Sequence, residues 1–353
     1  MKIARYGVLL LVGLLWVAGC SSDVLSYLYT STLIPDDYRY GDLYRLSNLE
    51  KFKDPKKPCG PFPVIKSAND DKKIALYIIG DSFTEPQRIG VQDFDVEYYQ
   101  YVHWGTSLHL KLDSSYTNII LLESVERNAR EHFESPISLI TPDSVTLVTI
   151  PQDTRLVRQV DNLFASAPVE DRLITILFQF DLILKIKELK SWINFKFFDR
   201  TDPKVTVSDG GATIVYVEDT DTNYNKSSFS VIKDPELNTI ISVMDQNKSY
   251  LQSLGFDQVW LSIIPNKASI LMPEHGKYNN LIEKIYQHPD LSVPVIDLFQ
   301  DFTQMKATVY LLGDSHWSCA GQYVWLDKVN TLLRQENSPP KGNASILPQK
   351  NSL

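Results

Sequence analysis

Two short segments hold the residue types of nucleophilic catalysis: Gly80-Asp81-Ser82-Phe83-Thr84 near one end of the chain and Gly313-Asp314-Ser315-His316-Trp317 near the other. A serine hydroxyl is a weak nucleophile until a base takes its proton, and an imidazole base needs a carboxylate to orient it. The second segment offers both, as Asp314 and His316. Two residues apart in an extended loop, they project toward the same side. The other five histidines, His103, His109, His132, His275 and His288, have no Asp at this spacing and are read as structural or surface residues. The Gly-Asp-Ser tripeptide is weak on its own, and here it occurs twice. Position separates the copies: Ser82 is the candidate nucleophile, and Ser315 lies inside the acid–base loop. Two ordinary polar turns are the alternative reading.

These residues need a frame that brings them together. Ile74-Ala75-Leu76-Tyr77-Ile78-Ile79 is a continuous apolar run ended by Gly80, the pattern of a strand buried on both faces of a parallel sheet. Residues 118–122, 258–264, 293–297 and 98–104 give further strands. Helical spacing covers 237–254, 278–288 and 321–333. The alternation predicts an α/β fold, three layers with a mostly parallel central sheet flanked by helices. Ser82 would then leave the carboxyl edge of that sheet, where open α/β sheets bind ligands. A helix start beside it would supply N–H groups for an oxyanion.

Residues 71–335 form this domain. A stretch from about 135 to 234 departs from the alternation and reads as an inserted subdomain, with an apolar helical segment at 173–189 followed by a strand-like Gly-Asp-Thr-rich part. Residues 20–70 read as anchor, tether and irregular lead-in, and 336–353 as a disordered tail.

The two motifs together resemble the first and last blocks of the SGNH (GDSL) hydrolase superfamily. Asp314-Ser315-His316-Trp317-Ser318 with Gly321 is similar to the D-x-H-W element of the alginate O-acetylation proteins AlgX and AlgJ and their DHHW-type relatives. Leu122 to Arg127, Ile264 to Ala268 and Tyr310-Leu311-Leu312 also resemble segments of that group. The resemblance covers roughly 71–135 and 255–335. Its D-x-H-W element follows the Ser block here, whereas in the alginate proteins it precedes it. The resemblance implies a Ser82-His316-Asp314 triad, and an oxyanion hole from the Ser82 and Gly105 N–H groups with Asn128 as the nearest side-chain equivalent. It also implies acyl-ester hydrolysis or O-acetyl transfer on an acetylated envelope or extracellular polysaccharide, with a membrane acyltransferase or export partner. Arg127, Lys267 and Trp317 are candidate substrate contacts; a helix-start charge pair with Glu126 and a solvated loop lysine are the plainer readings of the first two. A catalytically silent scaffold that binds glycan or an export partner is the competing function.

The first residues address the compartment. Lys2 and Arg5 precede an apolar region, Gly7 to Leu15, shorter than the ~20 residues of a membrane span. Val17-Ala18-Gly19-Cys20 then matches the bacterial lipobox. That match implies a signal peptide at 1–19, acylation of Cys20 and a lipid anchor, with the periplasmic face of the outer membrane as the expected location. An ordinary signal peptide that contains a cysteine is the alternative. Cys59 and Cys319 remain in an oxidising compartment, as a disulfide or as two buried thiols. The net charge of −8, with no basic run, argues against nucleic acid as a partner. No His/Cys/Asp cluster has metal-ligand spacing in the sequence, no Gly-rich phosphate loop is present, and the expected chemistry needs neither metal nor cofactor.

Overall fold

A computed structural model describes residues 2–20, 22–66, 73–138, 140–142 and 169–337. Eight strands occur among them: β1 (Lys73–Gly80), β2 (Tyr98–His103), β3 (Leu108–Leu110), β4 (Tyr116–Val125), β5 (Ile140–Pro142), β6 (Val205–Val207), β7 (Ile214–Tyr216) and β8 (Gln258–Ile264). The central sheet has the order β2-β1-β4-β8 and every pair is parallel. Helices cover both faces, so the chain is α/β with a parallel central sheet, as the alternating pattern predicts.

β1 explains itself by its alternation. Ile74, Leu76 and Ile78 point to one face, where Trp260, Phe302 and the C-terminal helix residues Trp325, Val329 and Leu333 enclose them. Ala75, Tyr77 and Ile79 point to the other, against Ile240, Ile241 and Met244 of the helix Asp234–Ser253 and Ile282 of the helix Leu281–Tyr286. Each fully buried Ile or Leu contributes roughly 1.5–3 kcal/mol of transfer free energy. Two covered faces leave no room for polar alternation along this strand.

The run at 293–297 is less than a strand. It makes one parallel bridge, Leu261 to Val295, with hydrogen bonds from Leu261 N to Pro294 O and from Ile296 N to Leu261 O. Pro294 has no N–H to extend the ladder.

The segment 173–189 is two helices, not one. Val169–Phe178 and Asp181–Phe198 are separated at Gln179-Phe180, where Arg39 donates to Gln179 O and pairs with Asp181 at 2.7 Å. A tertiary clamp from the lead-in thus overrides a continuous helical pattern. The strand-like part is an antiparallel pair, β6 with β7, turned by Gly210 and Gly211 at φ 75° and 69°. The rest of the insertion, 143–168, and the tail beyond 337 lie outside the described residues.

Part of the lead-in packs on the insertion. Asp42–Ser47 is a helix, and Leu43, Leu49 and Phe52 form a small core with Val205 and Ile214 of the insertion. Gly41, at φ 101°, sits so close to Gly313 that a Cβ there would lie 2.2 Å from the Gly313 carbonyl oxygen. The first helix, Lys2–Cys20, is longer than the apolar region read from sequence. Its window Lys2–Gly19 has a mean hydropathy of 1.5 and is long and apolar enough to cross a membrane, a property that signal sequences share.

Candidate active site

The carboxyl ends of the parallel strands bring the sequence candidates to one edge. β1 ends at Gly80, two residues before Ser82; β2 ends two residues before Gly105; β4 runs directly into the helix carrying Arg127 and Asn128; β8 ends three residues before Lys267. The Ser82 turn is wired to β4. Asp81 accepts from Phe83 N at 3.0 Å, an Asx turn, and from Val125 N at 2.8 Å. Glu123 accepts from Asp81 N at 3.0 Å and from the Thr84 hydroxyl at 2.8 Å. Burial, then the Asp81 charge, pushes the Glu123 carboxyl well above the usual carboxylate range. Gly80 is required here by close approach, since a Cβ would meet Thr84 Oγ1 at 2.1 Å.

His316 faces Ser82 across this edge. Its Nε2 lies 2.8 Å from Ser82 Oγ and its Nδ1 lies 2.5 Å from Asp314 Oδ1. The His316 amide also donates to Asp314 Oδ1, at 2.9 Å. The ring is held over Phe83, with centroids 4.8 Å apart. Asp314 is 1% exposed. Burial works to raise its pKa, but His316 and then the Lys56 ammonium, paired with Oδ2, overcome that and hold it well below the ordinary value. Arg88 donates to Ser82 O at 2.8 Å, so the nucleophile turn is braced from its other side. No carbonyl or carboxylate among the described residues accepts from the Ser82 or Gly105 N–H. Gly105 stands at φ 82°. Asn128 is half-buried on its helix, and no contact among the described residues ties it to Ser82.

Three substrate-contact candidates change role. Trp317 is 2% exposed and packs against Phe83 and Trp325 in the core. Lys267 is 3% exposed, and its ammonium donates to the carbonyls of Leu311, Leu312 and Asp314 at 2.7, 2.9 and 3.1 Å. It clamps the acid–base loop from below, and burial lowers its pKa to about 8. The Arg127 side chain, 11% exposed, faces Asp219 at 3.5 Å and lies over the Tyr216 ring. Its charge is therefore engaged by Asp219 and Tyr216 of the insertion.

Other residues were not singled out from sequence. Asp42 accepts from the Ser315 amide at 2.8 Å, the Ser315 hydroxyl at 2.6 Å and the Tyr216 hydroxyl at 2.9 Å. Asn266 accepts from Arg127 N and donates to Glu126, joining the ends of β4 and β8. No motif marks Asp42 or Lys56; both lie in a stretch without periodicity. Asp42, Asp314 and His316 offer ligand atoms within 4.8 Å of one another. A cation there would compete with the Lys56 ammonium on Asp314 and with the four donors on Asp42, the Leu43 amide among them. Cys59 and Cys319 form a disulfide, which fixes the lead-in three residues beyond Lys56 to the start of the C-terminal helix.

Neither the protein-family models, nor the curated proteins, nor the solved structures contain a match to this chain.

Proposed function

We propose that the protein is a serine acyl-ester hydrolase or O-acetyltransferase of SGNH type. The observation that carries this reading is the continuous relay Ser82 Oγ, His316 Nε2, His316 Nδ1, Asp314 Oδ1 at the carboxyl edge of a parallel sheet. Ser82 attacks an acyl carbonyl while His316 takes its proton. Asp314 keeps the imidazole in the tautomer that leaves Nε2 free to accept, and stabilises the imidazolium that forms. The Ser82 and Gly105 N–H groups, with no acceptor among the described residues, stabilise the oxyanion. His316 returns the proton to the leaving alkoxide. The acyl group then passes from Ser82 to water or to a sugar hydroxyl, and the same imidazole activates that acceptor.

The substrate class, an acetylated envelope or extracellular polysaccharide, rests on the likeness of Asp314 to Gly321 to the D-x-H-W element. A lipid anchor at Cys20 and an envelope location rest on the lipobox. Turnover of p-nitrophenyl acetate by purified protein, with and without an oligosaccharide acceptor, tests the reaction. Acetate release that depends on Ser82 supports it, and acceptor acetylation selects transfer over hydrolysis. No turnover and no serine labelling would overturn it.

A further inference from the structure

The helix Asp181–Phe198 buries Leu184 and Glu188 and leaves a row of apolar side chains exposed. Its inner side is mixed: Leu184 is buried, Phe195 packs toward the cluster of Leu43 and Val205, and buried Glu188 accepts from the Tyr44 hydroxyl at 2.5 Å and from Lys53 Nζ at 2.7 Å. Its outer side is apolar. Leu182, Ile186, Leu189 and Phe197 are 72, 58, 57 and 68% exposed, and Ile193 continues the row. At 3.6 residues per turn these five positions fall within a sector of about 80°. Lys185 and Lys196 border that sector on one side and Lys190 on the other; all three are exposed. Trp192, 49% exposed, sits at the same border as Lys185. The chain as a whole is acidic, with a net charge of −8, so lysines gathered round an apolar stripe are a local reversal. The stripe continues into Leu177, Phe178 and Phe180 of the preceding turn, all exposed.

The neighbouring structure says what such a face meets. Val169–Phe178, the helix just before it, packs on the stretch that follows Cys20: Ile176 clusters with Ile34, and Val24, Leu25, Leu28 and Tyr29 pack against them. The stretch that follows Cys20, the residue expected to carry the acyl chains, is therefore held beside this helix pair.

We propose that Asp181–Phe198 lies in the headgroup–acyl boundary of an anionic phospholipid bilayer, as a second membrane contact beside Cys20. An exposed apolar stripe edged by lysines and an aromatic residue is the pattern of an interfacial helix. The inference rests on the N-terminal segment engaging a membrane and is independent of the acyl-transfer reading. It accounts for the insertion, because two contacts fix the orientation of the sheet edge over the bilayer, where one flexible anchor would not.

The test uses the full chain reconstituted in vesicles of phosphatidylethanolamine and phosphatidylglycerol. Environment-sensitive thiol labels are placed by Leu182→Cys, Ile186→Cys and Leu189→Cys, with Gln246→Cys on the helix Asp234–Ser253 as the water-facing control. Flotation is read first and quenching by brominated lipid second. The three stripe labels should be quenched at least about threefold more than the control. A chain that floats with all four labels equally exposed to water overturns the docking and leaves the anchor standing. A chain that does not float overturns both.

Discussion

Asp42 receives both the amide and the hydroxyl of Ser315, at 2.8 and 2.6 Å, across 273 residues of sequence. That pairing separates the two Gly-Asp-Ser copies physically. The Ser315 hydroxyl donates to the Asp42 carboxylate and makes no hydrogen bond to an imidazole among the described residues. The Ser82 hydroxyl lies against His316 Nε2. Ser82→Ala should therefore abolish labelling by a serine-directed fluorophosphonate and lower kcat by at least about 1,000-fold. His316→Ala should do nearly the same, since the two act as one unit. Ser315→Ala should keep most of the activity, because Asp42 still has Tyr216 and the Ser315 amide. Labelling that survives Ser82→Ala and disappears with Ser315→Ala would reverse the assignment.

Lys56 supplies the outer oxygen of Asp314 with its counter-charge. The lysine is partly exposed, so solvent screening discounts the pair, but the carboxylate it faces is 1% exposed. Lys56→Met should leave that oxygen unpaired and cost about 1–2 kcal/mol of stability. If the pair also holds the imidazole in register, kcat falls about tenfold and KM changes little. Asp314→Asn should be more severe, because it disturbs tautomer as well as charge. Full activity in Lys56→Met, measured with p-nitrophenyl acetate on folded protein, would limit the lysine to a structural role. Recovery in Lys56→Arg would support positioning.

The Cys59–Cys319 disulfide closes a separation of 260 residues and holds the Lys56 segment against the C-terminal helix. In the chain-entropy account a loop of this length contributes about 5 kcal/mol, less if the native bridge is strained. Thiol titration of unfolded, unreduced protein should find neither cysteine free. Reduction should lower Tm and slow acyl turnover before the sheet unfolds, because the lead-in carrying Asp42 and Lys56 loses its tie first. Activity lost only together with the far-ultraviolet circular dichroism signal would show that the bridge acts on global stability alone.

What the sequence revealed follows from where its constraints are local. β1 was legible because a strand covered on both faces must be apolar throughout, and Ser82 because it sits in the turn just after that strand. Asp314 and His316 were legible because acid and base share one loop. Asp42 and Lys56 were not, because nothing near them in sequence marks a residue whose partner lies more than 250 positions away. Trp317 and Lys267 were read toward substrate because a tryptophan or lysine beside a reactive motif looks alike whether it faces a ligand or the core. Burial decides that, and it is set by partners outside the local pattern: Phe83 and Trp325 for Trp317, the carbonyls of Leu311, Leu312 and Asp314 for Lys267. The break at Gln179-Phe180 has the same origin, since its cause is Arg39.

Glu126 gives a pH test of the frame under the site. It is 2% exposed, accepts from Asn266 N at 2.8 Å and Ser269 Oγ at 2.5 Å, and burial raises its pKa to about 7 from an ordinary 4.5. A raised folded-state pKa means the folded state holds the proton through that window when the unfolded chain has released it. The associated stability is fully present below about pH 4.5 and is lost as pH rises through about 7, a change of about 3 kcal/mol. Above pH 7 the native protein carries a buried carboxylate with no ammonium or guanidinium partner among the described residues, and Glu126→Gln removes that penalty while keeping an amide oxygen for Asn266 and Ser269. The Tm of Glu126→Gln relative to wild type should therefore rise between pH 4.5 and 8. Groups that do not interact with Glu126 titrate alike in both proteins and drop out of the difference. Curves that stay parallel across that range would mean Glu126 does not hold its proton in the folded state.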